Sequence, residues 1–195
     1  MTTILHVNSS GRNTGSHSRK LSTELIAKLT AANPEASVIE RDIANGIEFV
    51  DQTWIEATFT PKDQRSSNQK TRLTGSDTLV AEVQAADQLV IAVPIYNFSI
   101  PGVLKAWVDQ ICRIGVTFKH VDGKPVGLLE GKKAFLVITS GGTEVRGPVD
   151  FATDYMTHVL AFIGITDVAI INAGQLMFDE RGVLAKARET IAAAA

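Results

Sequence analysis

The sequence contains a single cysteine, Cys112, so no disulfide can form within the chain. It has no apolar run long enough to span a bilayer, and no basic segment followed by an apolar stretch at the N-terminus, so we expect no signal peptide. The formal net charge is −2, which gives no electrostatic reason to expect a nucleic acid or an anionic membrane as a partner. Together these absences favour a reducing, cytoplasmic location with no nucleic acid and no membrane among the partners.

Several common motifs of catalysis and cofactor binding are also missing. The histidines and Cys112 show no metal-ligand spacing, so we expect no metal. No Gly-x-Ser-x-Gly elbow supports serine hydrolase chemistry, and neither Gly-x-Gly-x-x-Gly nor Gly-Lys-Ser/Thr is present. The acids in Glu40-Arg41-Asp42 could mimic the ribose-binding acid of a dinucleotide fold, although a solvated strand end is the more ordinary interpretation. Cys112 itself is expected to be a packed helix residue.

The chain alternates apolar strand segments with amphipathic helical segments. Its 195 residues are 45% hydrophobic, which is enough for one domain, residues 1–195, with a substantial core. This alternation predicts an α/β fold whose parallel sheet is covered by helices on both faces. The predicted strands are 3–8, 36–42, 88–93, 133–139 and 168–171. The first predicted helix contains Leu21–Leu29, the second contains Leu79–Val83 and begins after Ser76, and the third contains Trp107. The last two predicted helices are 152–163 and 180–195.

Two segments depart from this repeat. Residues 44–73 are long and polar, with Phe49, Trp54 and Phe59 scattered through them. A connection of that length is usually functional or mobile, and its aromatics either fold back on their own subunit or are covered by a partner. Residues 116–129 contain Asp122-Gly123, which predicts a hairpin turn.

The loop after the first strand is rich in hydroxyl groups. Ser10, Ser16 and Ser18 precede or open the first helix, whose free backbone N–H groups attract anions. Hydroxyls with few basic residues suit a single phosphate monoester. The alternative is that these serines only cap the helix, since serine is a preferred cap.

Two further loops follow strands of the same predicted sheet. Pro94–Phe98 places Tyr, Asn and Phe in a row, a chemistry suited to a flat heteroaromatic ring, unless the aromatics only serve the core. Thr139–Gly142 has paired glycines that let backbone N–H groups approach a ligand, unless it is a plain turn. Because open α/β sheets bind ligands at the carboxyl ends of their strands, we expect the three loops to share one site.

The motifs together resemble a known family, in order and over nearly the whole chain. They are Asn8-Ser9-Ser10 with Ser16-x-Ser18, Pro94–Phe98, Gly115–Phe118, Thr139–Gly142 and Phe162–Ile165. They are similar to motifs of the NAD(P)H:quinone oxidoreductases that depend on flavin mononucleotide (FMN), also called azoreductases. The resemblance implies a flavodoxin-like five-stranded sheet, a homodimer with interfacial sites, and NADH or NADPH as hydride donor. It implies ping-pong reduction of quinones, azo compounds or nitroaromatics.

The resemblance also assigns residues. No side chain need be catalytic, because flavin N5 carries the chemistry. Ile95 stands where many relatives carry Met, and Ser140–Gly142 is one residue shorter than in some relatives. A non-enzymatic electron carrier of the same fold is the alternative, against which the net charge of −2 and the long aromatic insertion speak. The implied FMN-binding residues are Ser10, Ser16, His17, Ser18, Pro94, Ile95, Tyr96, Asn97, Phe98, Thr139, Ser140, Gly141 and Gly142, and the implied substrate-binding residues are Phe59, Phe118, His120 and Phe162.

Overall fold

A computed structural model describes residues 1–194 as a parallel sheet between two layers of helices. The main sheet has five strands in the order β2-β1-β3-β6-β7, all parallel, and this order is the flavodoxin-like one. It confirms the fold class expected from the sequence. The strands are β1 Thr3–Asn8, β2 Ser37–Asp42, β3 Gln88–Pro94, β4 Phe118–Val121, β5 Lys124–Gly127, β6 Lys133–Thr139 and β7 Asp167–Ala173, and the helices are α1 His17–Ala32, α2 Gln52–Phe59, α3 Ser67–Ala85, α4 Gly102–Ile111, α5 Thr153–Phe162 and α6 Leu176–Ala192.

The core lies on both faces of the sheet, which explains why the central strands read as continuous apolar runs. Alternate residues of β3 point to opposite faces, so Leu89 and Ile91 pack with α3, α4 and α5, while Val90 packs with α1 and α6. Both clusters consist of fully buried side chains. The sheet is therefore a rigid platform, and the loops at its carboxyl edge are fixed by short connections to it.

The predicted long connection at residues 44–73 is largely helical, which corrects the sequence interpretation. It holds α2, and α3 begins at Ser67 rather than after Ser76. Asp51 caps α2 by accepting a hydrogen bond from Trp54 N, and Ser66 with Gln69 forms a capping box at the start of α3. The first turns of α3, before the buried Leu73, are polar and largely exposed, so apolar periodicity alone predicts a start nearly three turns too late.

Trp54 folds back onto its own subunit, contrary to the interpretation in which all three aromatics of this segment are covered by a partner. Its side chain is 7% exposed, and its Nε1 donates to Gln110 Oε1 at 2.8 Å. The Arg113 guanidinium lies 5.8 Å above the indole ring, close enough for a cation–π interaction. Phe49 and Phe59, in contrast, are 75% and 72% exposed. The indole therefore anchors α2, and only the two phenyl rings are available to a partner.

The predicted hairpin is present as the antiparallel pair β4 and β5, with Asp122 and Gly123 at its tip. Its base is held against the turn that follows α5. A Cβ built on Gly127 would lie 2.1 Å from Gly164 N, so only glycine permits this approach of two backbones. Leu129 N also donates to Ile163 O at 2.9 Å. The hairpin is thus fixed where Phe118 meets α5.

Candidate functional site

The three loops singled out in the sequence meet at one cavity of about 410 Å³ at the carboxyl edge of the sheet. This volume lies in the range of small-molecule sites. A fourth segment, residues 176–180 after β7, also contributes to the wall of the cavity. The lining residues are Ser10, Arg12, Gly15, Ser16, His17, Ser18, Pro94, Ile95, Tyr96, Thr139, Ser140, Gly141, Leu176, Met177 and Glu180.

Hydroxyl groups form one end of the cavity. Ser16 Oγ donates to Ser10 Oγ at 3.0 Å and lies 3.2 Å from Ser18 Oγ, and Tyr96 Oη is 3.2 Å from Ser10 Oγ. Ser10 and Ser18 are each 1% exposed. Ser16 also caps α1, so the helix-cap interpretation is correct for one of the serines but does not account for the other two. A cluster of hydroxyls at the start of a helix can supply several donors to one anion.

Arg19 fixes the position of Ser10. Its Nε and Nη2 donate to Ser10 O at 3.3 and 2.8 Å, and its Nη1 and Nη2 donate to the Asp42 carboxylate at 2.7 and 2.9 Å. The hydrogen bond between the two side chains raises the pKa of Arg19 and lowers that of Asp42. Asp42 therefore serves to hold the first loop. Asp42 and Glu40 are both exposed at the carboxyl half of β2, as expected of a solvated strand end.

The second loop presents its aromatics to the surface instead of the core. Ile95 N donates to Thr139 O at 2.8 Å, and Tyr96 and Ser99 exchange backbone hydrogen bonds at 2.9 and 3.2 Å. Asn97 and Phe98 have φ angles of 48° and 75°, and such left-handed backbone is uncommon for a phenylalanine. Phe98 is 54% exposed, so the alternative that these aromatics serve the core is wrong for it. Tyr96 lines the cavity, whereas Asn97 and Phe98 lie beyond its wall.

The third loop is tied to the segment that follows β7. Thr143 N donates to Ser140 Oγ at 2.7 Å, and Met177 N donates to Gly141 O at 2.9 Å. A Cβ on Gly141 would lie 3.0 Å from Met177 Sδ, so the two loops are in close contact. Thr139, Ser140 and Gly141 line the cavity, while Gly142 does not.

The segment after β7 was not predicted to take part. Leu176 N donates to Ser140 O at 3.0 Å, and Leu176, Met177 and Glu180 line the cavity. The sequence interpretation began the last helix at Glu180, whereas α6 begins at Leu176 and has a break at Asp179. The rule that open α/β sheets bind ligands at the carboxyl ends of their strands also predicts a role for this segment, because β7 ends at the same edge of the sheet. Arg12 and Gly15, in the first loop, were likewise missed.

The predicted substrate residues form a separate group near the hairpin. The Phe118 ring centroid lies 4.5 Å from that of Phe162 and 5.8 Å from that of His120. Phe59 is the last residue of α2 and is largely exposed. None of the four residues lines the cavity. Their predicted role therefore depends on what lies against the open side of the site.

Cys112 offers no nucleophile to this site. It is the C-cap of α4 and packs against the core, as expected. Burial raises the pKa of its thiol to about 11, so the reactive thiolate is scarce near neutral pH. Across residues 1–194, no helix combines the length and the apolar character that crossing a bilayer requires.

The donors of the cavity fit a planar ring that carries a phosphate. Buried hydroxyls and the start of α1 suit the phosphate, and Tyr96 with the backbone of residues 139–141 suits the ring. The three loops that supply these groups are joined to one another by hydrogen bonds, from Ile95 N to Thr139 O and between Tyr96 Oη and Ser10 Oγ.

Comparisons with known proteins point to the same chemistry. A family model described as the flavodoxin-like fold matches residues 2–195. The chain is 53% identical over 194 residues to FMN-dependent NADH:quinone oxidoreductase 1 of Hahella chejuensis, covering 100% of this chain and 95% of the relative. It is 54% identical over 179 residues to the protein of that name from Jannaschia sp., covering 92% and 91%. The structure is similar to that of the azoreductase from Bacillus anthracis str. Sterne, with a TM-score of 0.89 and 27% identity over 98% of this chain and 97% of that one. The chain therefore belongs to the family of flavodoxin-like proteins that includes the FMN-dependent NADH:quinone oxidoreductases.

Proposed function

We propose that this chain binds one FMN in the cavity and catalyses two-electron transfer from NADH or NADPH to quinones, azo compounds or nitroaromatics. The observation that carries the proposal is the cavity itself, in which buried hydroxyls suit the phosphate of a flavin while the Tyr96 loop and the backbone of residues 139–141 suit its ring. The names of the relatives at 53% and 54% identity support FMN as cofactor and a quinone as acceptor.

The division of the cavity suggests how FMN would be held. Ser10, Ser16 and Ser18 would donate to the phosphate, with His17 beside them at the start of α1. Pro94–Phe98 would flank the ring on one side. Thr139–Gly142 would donate backbone N–H groups to its opposite edge, where negative charge develops on reduction. Bound in this way, the flavin would supply the chemistry, taking a hydride from the nicotinamide and passing two electrons to the acceptor.

The protein side chains bind and orient in this mechanism, and none acts as a nucleophile. The contact between Tyr96 Oη and Ser10 Oγ joins the ring end of the cavity to the phosphate end. The Arg19 side chain keeps Ser10 in place, so the loop is formed before a ligand arrives. Nicotinamide and acceptor must each reach the same ring face, and we therefore propose that they bind in turn, giving ping-pong kinetics.

Steady-state kinetics test this function. The purified protein should be yellow and release FMN on denaturation, and double-reciprocal plots against NADH at several quinone concentrations should be parallel. Intersecting lines would mean that both substrates bind together, which contradicts the ping-pong order. A yellow protein that shows no turnover with either nicotinamide and any quinone would instead be the electron carrier of the same fold. Release of FAD alone would contradict the FMN site.

We also propose that the active form is a homodimer with sites shared between subunits. The residues predicted to contact substrate do not line the cavity, and Phe59 and Phe98 leave large apolar surfaces in contact with solvent. A partner that places its Phe59 over the ring face would bury these surfaces and close the site. This arrangement is consistent with the anchoring of α2 by Trp54, which holds Phe59 outward.

Mixing two inactive variants tests the shared site. One variant is altered at Asn97 and the other at Phe59, and activity should return after subunit exchange because a heterodimer regains one intact site. Mixing two preparations of the Asn97 variant provides the control, which should stay inactive. No recovery in confirmed heterodimers would place Phe59 and Asn97 of the same chain in the same site.

A further inference from the structure

One carboxylate lies among the residues that line the cavity, and its position is unexpected for an anion site. Glu180 Oε1 lies 4.0 Å from His17 Nε2, and His17 begins α1 beside the hydroxyl cluster. Glu180 therefore borders the phosphate end of the cavity and not the ring end. Arg12 is the other charged residue lining this end. A negative charge near a bound phosphate disfavours its binding.

The backbone of α6 sets the position of Glu180. Asp179 has φ −153° and ψ 74°, which interrupts the helix, and its Oδ1 accepts a hydrogen bond from Gly182 N at 2.9 Å. A side chain at residue 182 would meet the Asp179 carboxylate, which would then have to shift. The hydrogen bond from Leu176 N to Ser140 O holds the segment before the break against the third loop. The start of the regular part of α6 is thereby fixed opposite the start of α1.

Resting on the proposed FMN site, we infer that Glu180 is a specificity-determining residue that selects flavin mononucleotide over flavin adenine dinucleotide (FAD). In FMN the phosphate ends the molecule, and the hydroxyl cluster can surround it. In FAD the same phosphate continues into a second phosphate and an adenosine, which must leave the cavity past His17 and Glu180. The second phosphate would then lie beside the Glu180 carboxylate, and two like charges at such a distance repel each other. A repulsive group of this kind contributes to specificity by disfavouring the competing ligand.

The test replaces the carboxylate without changing its shape. Apoprotein of the wild type, of Glu180→Gln and of Glu189→Gln is titrated with FMN and with FAD, and the flavin fluorescence gives each dissociation constant. In Glu180→Gln, the ratio of the FAD constant to the FMN constant should fall by about three- to fivefold, because the Glu180 carboxylate is 64% exposed and solvent screens its charge. Glu189 is exposed on the same helix, so its substitution changes the net charge equally and should leave the ratio unchanged.

The salt dependence of the ratio of the FAD and FMN dissociation constants is a second measurement, and a purely steric role of Glu180 would leave that ratio unchanged by salt. Raising the ionic strength to about 1 M shortens the Debye length to about 3 Å, so discrimination against FAD should weaken more in the wild type than in Glu180→Gln. An unchanged ratio in Glu180→Gln, an equal fall in Glu189→Gln, or discrimination by the wild type that ignores salt would each overturn the inference. Failure of the wild type to bind FMN at all would instead refute the proposed function.

Discussion

Replacing Trp54 by alanine should lower the free energy of unfolding by about 3–5 kcal/mol, the range for truncating a buried tryptophan. The indole packs with Val50, Ala57 and Leu73, and it donates to Gln110 Oε1. The substitution removes this apolar contact and leaves a buried amide oxygen without its donor. Urea-induced unfolding followed by circular dichroism measures the change.

Two further variants separate packing from hydrogen bonding. Trp54→Phe keeps most of the ring contact but loses the N–H group, so it should cost about 1–3 kcal/mol. Glu56→Ala changes an exposed residue of the same helix and should alter the free energy of unfolding by less than about 0.5 kcal/mol. If Trp54→Ala were as stable as Glu56→Ala, the indole would not anchor α2, and the assignment of Phe59 to the partner-facing side would lose its support.

Replacing Ser18 by alanine should raise the FMN dissociation constant about 10- to 150-fold. This corresponds to the loss of one hydrogen bond to a charged phosphate, worth about 1.5–3 kcal/mol. Ser18 is buried beside the cavity, and its Oγ contacts Ser16 Oγ at 3.2 Å. Ser16→Ala should weaken FMN binding to a similar extent, but it should also destabilise the apoprotein by about 1 kcal/mol because it removes the cap of α1.

Riboflavin, which lacks the phosphate, serves as the matched ligand for this measurement. Ser18→Ala should leave riboflavin affinity unchanged, because the lost hydroxyl acts only on the phosphate. Thr23→Ala removes an exposed hydroxyl from the same helix and should change neither affinity. Unaltered FMN affinity in both Ser16→Ala and Ser18→Ala would place the phosphate in another part of the cavity.

The sheet could be predicted from the sequence because its strands are apolar on both faces. The apolar runs that end at Val93 and Thr139 are each followed by a loop with glycine or proline and then by a helix. This order is typical of buried strands in a parallel sheet. The same reasoning predicted that three loops would meet, and the cavity confirms that they do. Which of their side chains contact a cofactor stays a prediction.

The parts that could not be predicted depend on contacts between distant residues. The start of α3 is set by the capping box at Ser66 and not by apolar spacing, since its first turns face solvent. The Trp54 side chain points inward because it contacts Gln110 and Arg113, which lie more than fifty positions further along the sequence. Glu180 reaches the cavity because α6 is interrupted at Asp179. Hydrophobic periodicity in the sequence cannot predict such an interruption of the backbone.

The contact between Gly127 and Gly164 constrains how the position of the hairpin can change in evolution. The hydrogen bond from Leu129 N to Ile163 O holds the segment after the hairpin against the turn that follows α5, and a side chain at either glycine would force the two backbones apart. Relatives that keep both glycines are therefore expected to differ in acceptor range through the side chains of the hairpin, such as that of His120. A relative that has lost either glycine is expected to hold Phe118 and Phe162 at a different separation, and with them a site of different width.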